Sequence, residues 1–452
     1  MSSTTKTAEP QTEHNSSHCA TSDGVGRDGS STHLPTGGAG RTIVLVSRDY
    51  PPLQCGGIAT FVHSLAHGLL EQGHHIHVIT KAAKGQAASL ENDGGVQVHR
   101  IRERLHWRSW KAMRMRIPRR IWRWSSSAMS AVIRLSQTEA IDLVEAPIWA
   151  CEGAAFLLDR RWPLVTSLHT TLHTWMESNP RRTSSWWWLY SFGKPMLALE
   201  AMLMTQADAV RANSRAILRE IEGAYGLEFD ASRTRVIPHG LPPPRVVAPP
   251  RHAHDMIELL FVGRLEQRKG IQILLQALPP LMQRWPGLCV RLIGDTQIRN
   301  AAGHFDKEDF LARHQGADWL PRVVFEGRVS DGRVLQAYAK CDIFVGPSLF
   351  ESFGMVFIEA MRQGKPVIAC HAGGMPEVVE DGRTGLLVPP GDAHSLEQAI
   401  ERLLQDPAMR QRLGTAARRA YECRFTAQRM AEESLPLYTL AQASFNSTQG
   451  RG

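Results

Sequence analysis

Two α/β domains, each built on a doubly wound parallel sheet, are what this sequence predicts, and three observations carry the expectation. Short continuous apolar runs alternate with amphipathic helical segments in both halves of the chain. A stretch with five prolines, HGLPPPRVVAPPRHAH, interrupts the series, which then starts again. The length, 452 residues, also exceeds what one core usually supports.

Residues 1–40 are rich in Ser, Thr, Gly and His and nearly free of apolar side chains, so burial cannot offset the entropy of ordering them. A disordered arm is expected there. The first domain, 41–242, opens on RTIVLV, apolar enough for a strand buried on both faces. A turn with Gly56-Gly57 follows, then a helix that places Ile58, Phe61, Val62, Leu65, Ala66, Leu69 and Leu70 on one face and stops near Gly73. Further strands are expected at 74–80, 96–101, 141–147, 163–170, 207–214 and 234–240.

The proline-rich segment 243–256 reads as a linker. The second domain, 257–425, has expected strands at 257–265, 288–295 and 322–329, and again in CDIFVGPS, GKPVIA and GLLVPP. Helices over about 395–444 close the chain, and 445–452 reads as a flexible tail.

The formal charge of +8 is local: Arg100–Trp124 holds nine Arg and one Lys against one Glu, so the remainder is near neutral. That distribution argues against a nucleic-acid enzyme, which needs an extended basic surface. Trp107, Trp110, Trp122 and Trp124 interleave with these arginines, a mixture suited to an anionic membrane interface or a lipid-linked acceptor. A surface helix broken at Pro118 accounts for the same pattern, and Trp186-Trp187-Trp188 either lines the acceptor side or fills the core. No apolar run is long enough to span a bilayer, and no positive start followed by an apolar stretch marks a secretory leader. Seven irregularly spaced cysteines suit reduced thiols and a cytoplasmic setting, with peripheral contact at the membrane's inner face.

The most informative stretch is 341–392. A strand over Ile343–Val345 leads into a helix from Gly354 to Gln363, and the turn is repeated from Pro366 to the pair Gly373-Gly374. Glu351 precedes the helix and Glu359 lies inside it, roughly 8–12 Å apart by helical rise. That is wide for two carboxylates sharing one bond and suits opposite ends of an elongated ligand such as a nucleotide-sugar. The helix N-terminus between them offers unpaired N–H groups to a phosphate, and Gly354 lets the backbone come close. In GRLEQRKG, Arg264 and Lys269 follow the second domain's first strand, where two cations suit a diphosphate. His169 ends the strand PLVTSLHT, which should expose its imidazole at the sheet's ligand edge. His173, four residues on, lacks a third partner with metal-site spacing.

The segments ESFGMVFIEAM, GKPVIA, GGMPEVV and DGRTGLLVPPGD resemble the donor-binding region of retaining glycosyltransferases with the GT-B fold, family 4-like and group 1, marked by a Glu-x7-Glu motif that Glu351 and Glu359 match. The resemblance implies GT-B architecture, with two Rossmann-like domains facing across a cleft: the first for acceptor, the second for donor, and a final helix (about 426–444) crossing back. It implies a UDP-, GDP- or ADP-sugar donor, an acceptor sugar or lipid-linked glycan, and no metal cofactor. Glu351 would hold sugar hydroxyls and Glu359 the ribose. The backbone of Phe353, Gly354, Met355 and Val356 would hold sugar and phosphates. Arg264 and Lys269 would stabilise the leaving diphosphate, Gly57 would admit a phosphate, and His169 would face the donor sugar. Other readings are a phosphorylase or sugar-nucleotide epimerase of the same architecture, and a non-catalytic membrane-peripheral binding protein.

Overall fold

The computed structural model describes residues 40–52, 56–104, 110–177, 183, 185–246, 256–300 and 302–450. Nearly all of the expected arm, most of the linker, Trp107 and the last two residues lie outside this set.

The first sheet contains β1 (Thr42–Val46), β2 (His75–Lys81), β3 (Ser89–Asp93), β4 (Val96–Ile101), β5 (Leu143–Pro147), β6 (Leu164–Ser167), β7 (Ala209–Ala212) and β8 (Thr234–Val236), in the order β3-β4-β2-β1-β5-β6-β7-β8. All neighbours are parallel except β3 and β4. The second sheet contains β9 (Ile257–Val262), β10 (Leu288–Ile293), β11 (Val323–Gly327), β12 (Ile343–Gly346), β13 (Val367–Cys370) and β14 (Gly385–Val388), all parallel, in the order β11-β10-β9-β12-β13-β14. Both sheets are covered on both faces, as their unbroken apolar runs require.

The edge strand β3, SLEND, was not expected from sequence. It is polar and exposed, with no alternation to read. Gly94 and Gly95, both at positive φ, close it onto β4.

Helix α1 (Gly57–Glu71) follows β1 and buries Phe61, Leu65 and Leu69 on the sheet, each contributing about 1.5–3 kcal/mol. Helix α2 (Arg119–Leu135) covers the other face through Ile121, Trp124, Ala128 and Val132. Helices α3 (Lys194–Gln206) and α4 (Arg215–Tyr225) precede and follow β7, and α5 (Ile271–Arg284) and α6 (Met355–Arg362) follow β9 and β12. The chain closes with α7 (Ala393–Gln405), α8 (Pro407–Arg424) and α9 (Ala427–Gln449).

Between α8 and α9 the chain runs beside its earlier crossing. Leu241 N donates to Phe425 O at 2.8 Å, and Ala427 N donates to Leu241 O at 2.9 Å. A Cβ on Gly240 would lie 2.1 Å from Thr426 O, so glycine permits this approach. Helix α9 then packs on α1 and the first sheet, running on to Gln449 rather than stopping near 444. There Tyr438 and Ser434 complete a buried network in which Arg211 Nε donates to Glu145 Oε1 at 2.7 Å.

Candidate functional site

In the second sheet the strand order reverses between β9 and β12, and ligands of open α/β sheets bind at the carboxyl ends of such strands. The loops leaving these two strands are pressed together. Leu349 N donates to Arg268 O at 2.8 Å, and a Cβ on Gly270 would lie 1.8 Å from Pro347 O. This contact delivers Lys269 and Arg268 to Glu351.

Lys269 Nζ lies 2.5 Å from Glu351 Oε1, Ser348 Oγ donates to the same oxygen at 2.8 Å, and Arg268 Nη1 is 3.5 Å from Oε2. Burial alone would raise the Glu351 pKa, but the Lys269 and Arg268 charges outweigh it and hold the carboxyl below its ordinary value. Arg264 is placed differently. Its side chain is 54% exposed and pairs with Glu266 at 2.9 Å, not with Glu351. Sequence reasoning named Arg264 and Lys269; it missed Arg268, which reads there as one more cation in a basic turn.

Helix α6 begins directly beyond Glu351. Gly354 is its cap at φ 94°, and a Cβ there would meet the buried Phe357 ring at 2.4 Å. Phe353 is buried, while Met355 and Val356 keep partly open faces at the helix terminus. The pair Gly373-Gly374 backs the same segment: Gly374 N donates to Glu351 O at 2.8 Å, and a Cβ on Gly373 would meet that oxygen at 2.3 Å. One turn further along, Glu359 is half-buried. Burial raises its pKa, and the Tyr338 hydroxyl and Arg362 only partly offset this. The two glutamates thus sit in opposite electrostatic settings.

The first domain meets this segment directly. Ser214 Oγ donates to Ser352 O at 2.5 Å, and Glu377 accepts from the N–H groups of Arg215 (2.9 Å) and Ala216 (2.8 Å) at the start of α4. His169 stacks on His239 with ring centroids 5.4 Å apart, and His239 meets the Phe353 ring edge-on at 5.0 Å. His169 is therefore brought to the same cluster as the α6 terminus.

Its imidazole is not exposed as expected, however. It is only 6% accessible, because Phe61 and His239 close over it beyond the end of β6. Burial lowers its pKa to about 4 despite the Glu145 charge, so the ring is neutral at pH 7. Its Nε2 has no hydrogen-bond partner among the described residues. Gly57 opens α1, and a Cβ there would meet nothing within 4 Å, which leaves room above that terminus. Ser348, His239, Ser214 and Glu377 were all missed, since each acts through a partner distant in sequence.

Arg100–Trp124 is divided between core and surface among the described residues. Arg100 is buried and bonded to Glu91 and to Pro51 O, while Trp122 and Trp124 are in the core, with Trp124 Nε1 donating to Glu152 at 2.8 Å. Exposed in this segment are Trp110 and Met113 together with Arg102, Arg104, Lys111, Arg114, Arg116, Arg119, Arg120 and Arg123, and in a later segment Trp186, Trp187 and Tyr190, with Arg116 Nη1 donating to Tyr190 Oη at 2.6 Å. Among the described residues no helix is long and apolar enough to cross a membrane.

Comparison with known proteins agrees with this arrangement. The family described as glycosyl transferases group 1 matches residues 247–420, and glycosyltransferase family 4 matches residues 55–245. Glycogen synthase of Mycobacterium tuberculosis (strain ATCC 25618 / H37Rv) is 27% identical over 427 residues, 90% of this chain and 97% of that protein. Sucrose-phosphate synthase from Thermosynechococcus elongatus superposes with a TM-score of 0.67 at 24% identity, covering 89% of this chain and 100% of that one. Anabaena HepE, solved with UDP and glucose, superposes with a TM-score of 0.62 at 23% identity, covering 88% and 99%. With two sheets of this topology, parallel but for the β3–β4 edge pair, and both family matches side by side along its length, the chain belongs to the group 1, family 4-like glycosyltransferases of the GT-B fold.

Proposed function

We propose that this glycosyltransferase moves a hexose from a UDP-, GDP- or ADP-sugar to an acceptor hydroxyl, retaining anomeric configuration and using no metal. The observation that carries the reading is the Lys269–Glu351 pair, with Arg268 beside it, at the strand-order reversal and next to the N-terminus of α6. Glu351, kept ionised, accepts from donor-sugar hydroxyls, and Glu359 meets the ribose. The free N–H groups over Phe353–Val356 and the charges of Lys269 and Arg264 face the diphosphate, where fixed charges stabilise the leaving group. Gly57 admits a phosphate from the first domain, and His169, whose buried Nε2 has no partner among the described residues, meets the donor sugar once Phe61 or His239 moves aside. The acceptor oxygen bonds to the anomeric carbon as the carbon–phosphate oxygen bond breaks on the same face. The acceptor proton passes to the departing phosphate.

Support for the nucleotide comes from HepE, which holds UDP and glucose on the same fold. Relatives named for glycogen and for sucrose phosphate differ in product. The exposed Trp110, Trp186, Trp187 and Tyr190 favour a lipid-linked acceptor approached from a membrane surface.

The test is a panel of UDP-, GDP- and ADP-sugars with excess chelator, read by slow donor hydrolysis, by Tm shift and by the anomeric configuration of released sugar. At least one donor should respond with retention. No response to any donor overturns the reading, and phosphate acting as acceptor would make the protein a phosphorylase.

A further inference from the structure

We propose that His63, His67 and Asp93 form a three-ligand site for a divalent transition-metal ion of the zinc class, where α1 meets the β3–β4 hairpin. The site is in the first domain and takes no part in the transfer chemistry proposed above.

Spacing of i, i+4 puts His63 and His67 on one face of α1, and their ring centroids are 4.4 Å apart. Both turn Nε2 toward one carboxylate oxygen. Asp93 Oδ2 is 3.2 Å from His67 Nε2 and 3.5 Å from His63 Nε2, and the three ligand atoms all lie within 4.8 Å of one another. A tetrahedral zinc ion with bonds of about 2.0–2.1 Å spaces its ligands about 3.3–3.4 Å apart. Those two separations fall on either side of that edge length and the remaining pair lies within 4.8 Å, so an ion fits between the atoms once the two rings adjust. Two imidazoles and a carboxylate are a donor set for zinc, cobalt or nickel rather than for calcium or magnesium, which take oxygen. A fourth position remains for water.

The surroundings hold the carboxylate in place. Tyr50 Oη donates to Asp93 Oδ2 at 2.8 Å, an outer contact of the kind that orients metal-bound carboxylates. The hairpin fixes the Asp93 backbone: it pairs with Val96 across Gly94-Gly95, and Gly95 N donates to Asn92 Oδ1 at 2.7 Å. A polar edge strand that buries little apolar area is thereby placed where its last residue meets two histidines of a core helix. A bound ion would clamp that hairpin to α1, the helix whose N-terminus carries Gly57.

The experiment uses the full, untagged chain stripped with a chelator and reloaded with Zn2+, with bound metal counted after dialysis. His14, His18, Cys19 and His33 give any metal binding by the arm an equal share in every variant, so the reading is a difference. Native protein should hold one equivalent more than Asp93→Asn or His67→Gln. Zinc should raise Tm in the native chain by more than in either variant, and Co2+ should give the strong visible absorption of a four-coordinate ion only in the native chain. Tyr50→Phe keeps all three ligands and should bind about 10- to 100-fold more weakly. It stands in should a ligand variant fail to fold. Equal stoichiometry in native and Asp93→Asn protein, or unchanged affinity in Tyr50→Phe with no native excess, overturns the proposal.

Discussion

Lys269 Nζ lies 2.5 Å from Glu351 Oε1, so the cation expected at the diphosphate and the carboxylate expected at the sugar form one ion pair. Lys269→Met leaves that buried carboxylate with Arg268 at 3.5 Å and the Ser348 hydroxyl. Turnover with saturating donor should fall about 10²–10³-fold, the scale for losing one charge-stabilising donor. Stability should fall by roughly 3 kcal/mol, because breaking a buried pair leaves an uncompensated charge. The folded state holds the Glu351 pKa below its ordinary 4.5, so this group stabilises above that value and the contribution disappears as pH falls through the folded pKa. In Lys269→Met the folded pKa rises toward or past the ordinary value, so this acid-dependent loss should shrink or reverse. Unchanged turnover would remove Lys269 from the site.

Arg264 and Arg268 separate two kinds of effect. Arg264 is exposed and its side chain pairs with Glu266, so Arg264→Ala should leave Tm nearly unchanged while lowering turnover by about 10²-fold if it closes on the diphosphate. Arg268 also donates to Phe350 O at 3.1 Å and pairs with Glu266 and Glu351, so Arg268→Ala should lower Tm as well. Equal Tm losses in the two variants would contradict this division.

Gly354→Ala tests the α6 terminus. An L-residue at φ 94° costs roughly 1–2 kcal/mol, and the new Cβ meets a buried Phe357 ring that has nowhere to move. The urea midpoint should drop, and donor affinity, measured by titration, should weaken more than in Gly391→Ala. Gly391 is also at positive φ, but a Cβ there meets nothing within 4 Å. Equal effects on donor affinity would show that the α6 terminus does not hold the donor.

Most strands were legible because a parallel strand covered on both faces must be apolar throughout, and β1, β5, β12 and β13 are fully or almost fully buried. The strand β3 was not legible, since its exposed residues answer to the Gly94-Gly95 turn and to Asp93 rather than to a core. Glu351, Glu359 and Lys269 could be found from spacing and resemblance. Arg268 could not: its position is fixed by the close approach of Gly270 to Pro347, a contact between residues 77 positions apart. For Trp124, the charged neighbours in sequence pointed outward, while its actual partner, Glu152, lies on a different element.

The exposed aromatic face has its own test. Trp186 and Trp187 are 74% and 62% exposed, and Trp110 is 62% exposed. If this face meets a membrane, the Trp186→Ser, Trp187→Ser double variant should lose most flotation with vesicles containing anionic lipid, while its Tm stays near the native value because neither side chain packs in the core. Undiminished flotation would assign membrane contact elsewhere, and no flotation by the native protein would remove it.

His169 and His239 give the protein an acid-sensitive joint close to the donor segment. Burial lowers the His169 pKa from 6.5 to about 4, and the His239 pKa is lowered further by burial and by His169 beside it. Between pH 6.5 and 4 the unfolded chain therefore binds protons that the folded chain refuses, and stability falls as pH falls. For His169 alone the slope approaches 1.36 kcal/mol per pH unit, about 3 kcal/mol across the window. His169→Phe keeps a ring between Phe61 and His239 but removes the proton site. Urea midpoints measured from pH 7 to 4.5 should therefore decline less steeply than in the native protein, by about one proton's worth. This window lies above the range in which Glu351 titrates, so the two effects separate on the pH axis. If His169 also faces the donor sugar, the same variant should lose turnover at pH 7, where both forms are fully folded. An unchanged pH slope would show that the native His169 takes up its proton in place, and unchanged turnover would leave it a purely structural residue.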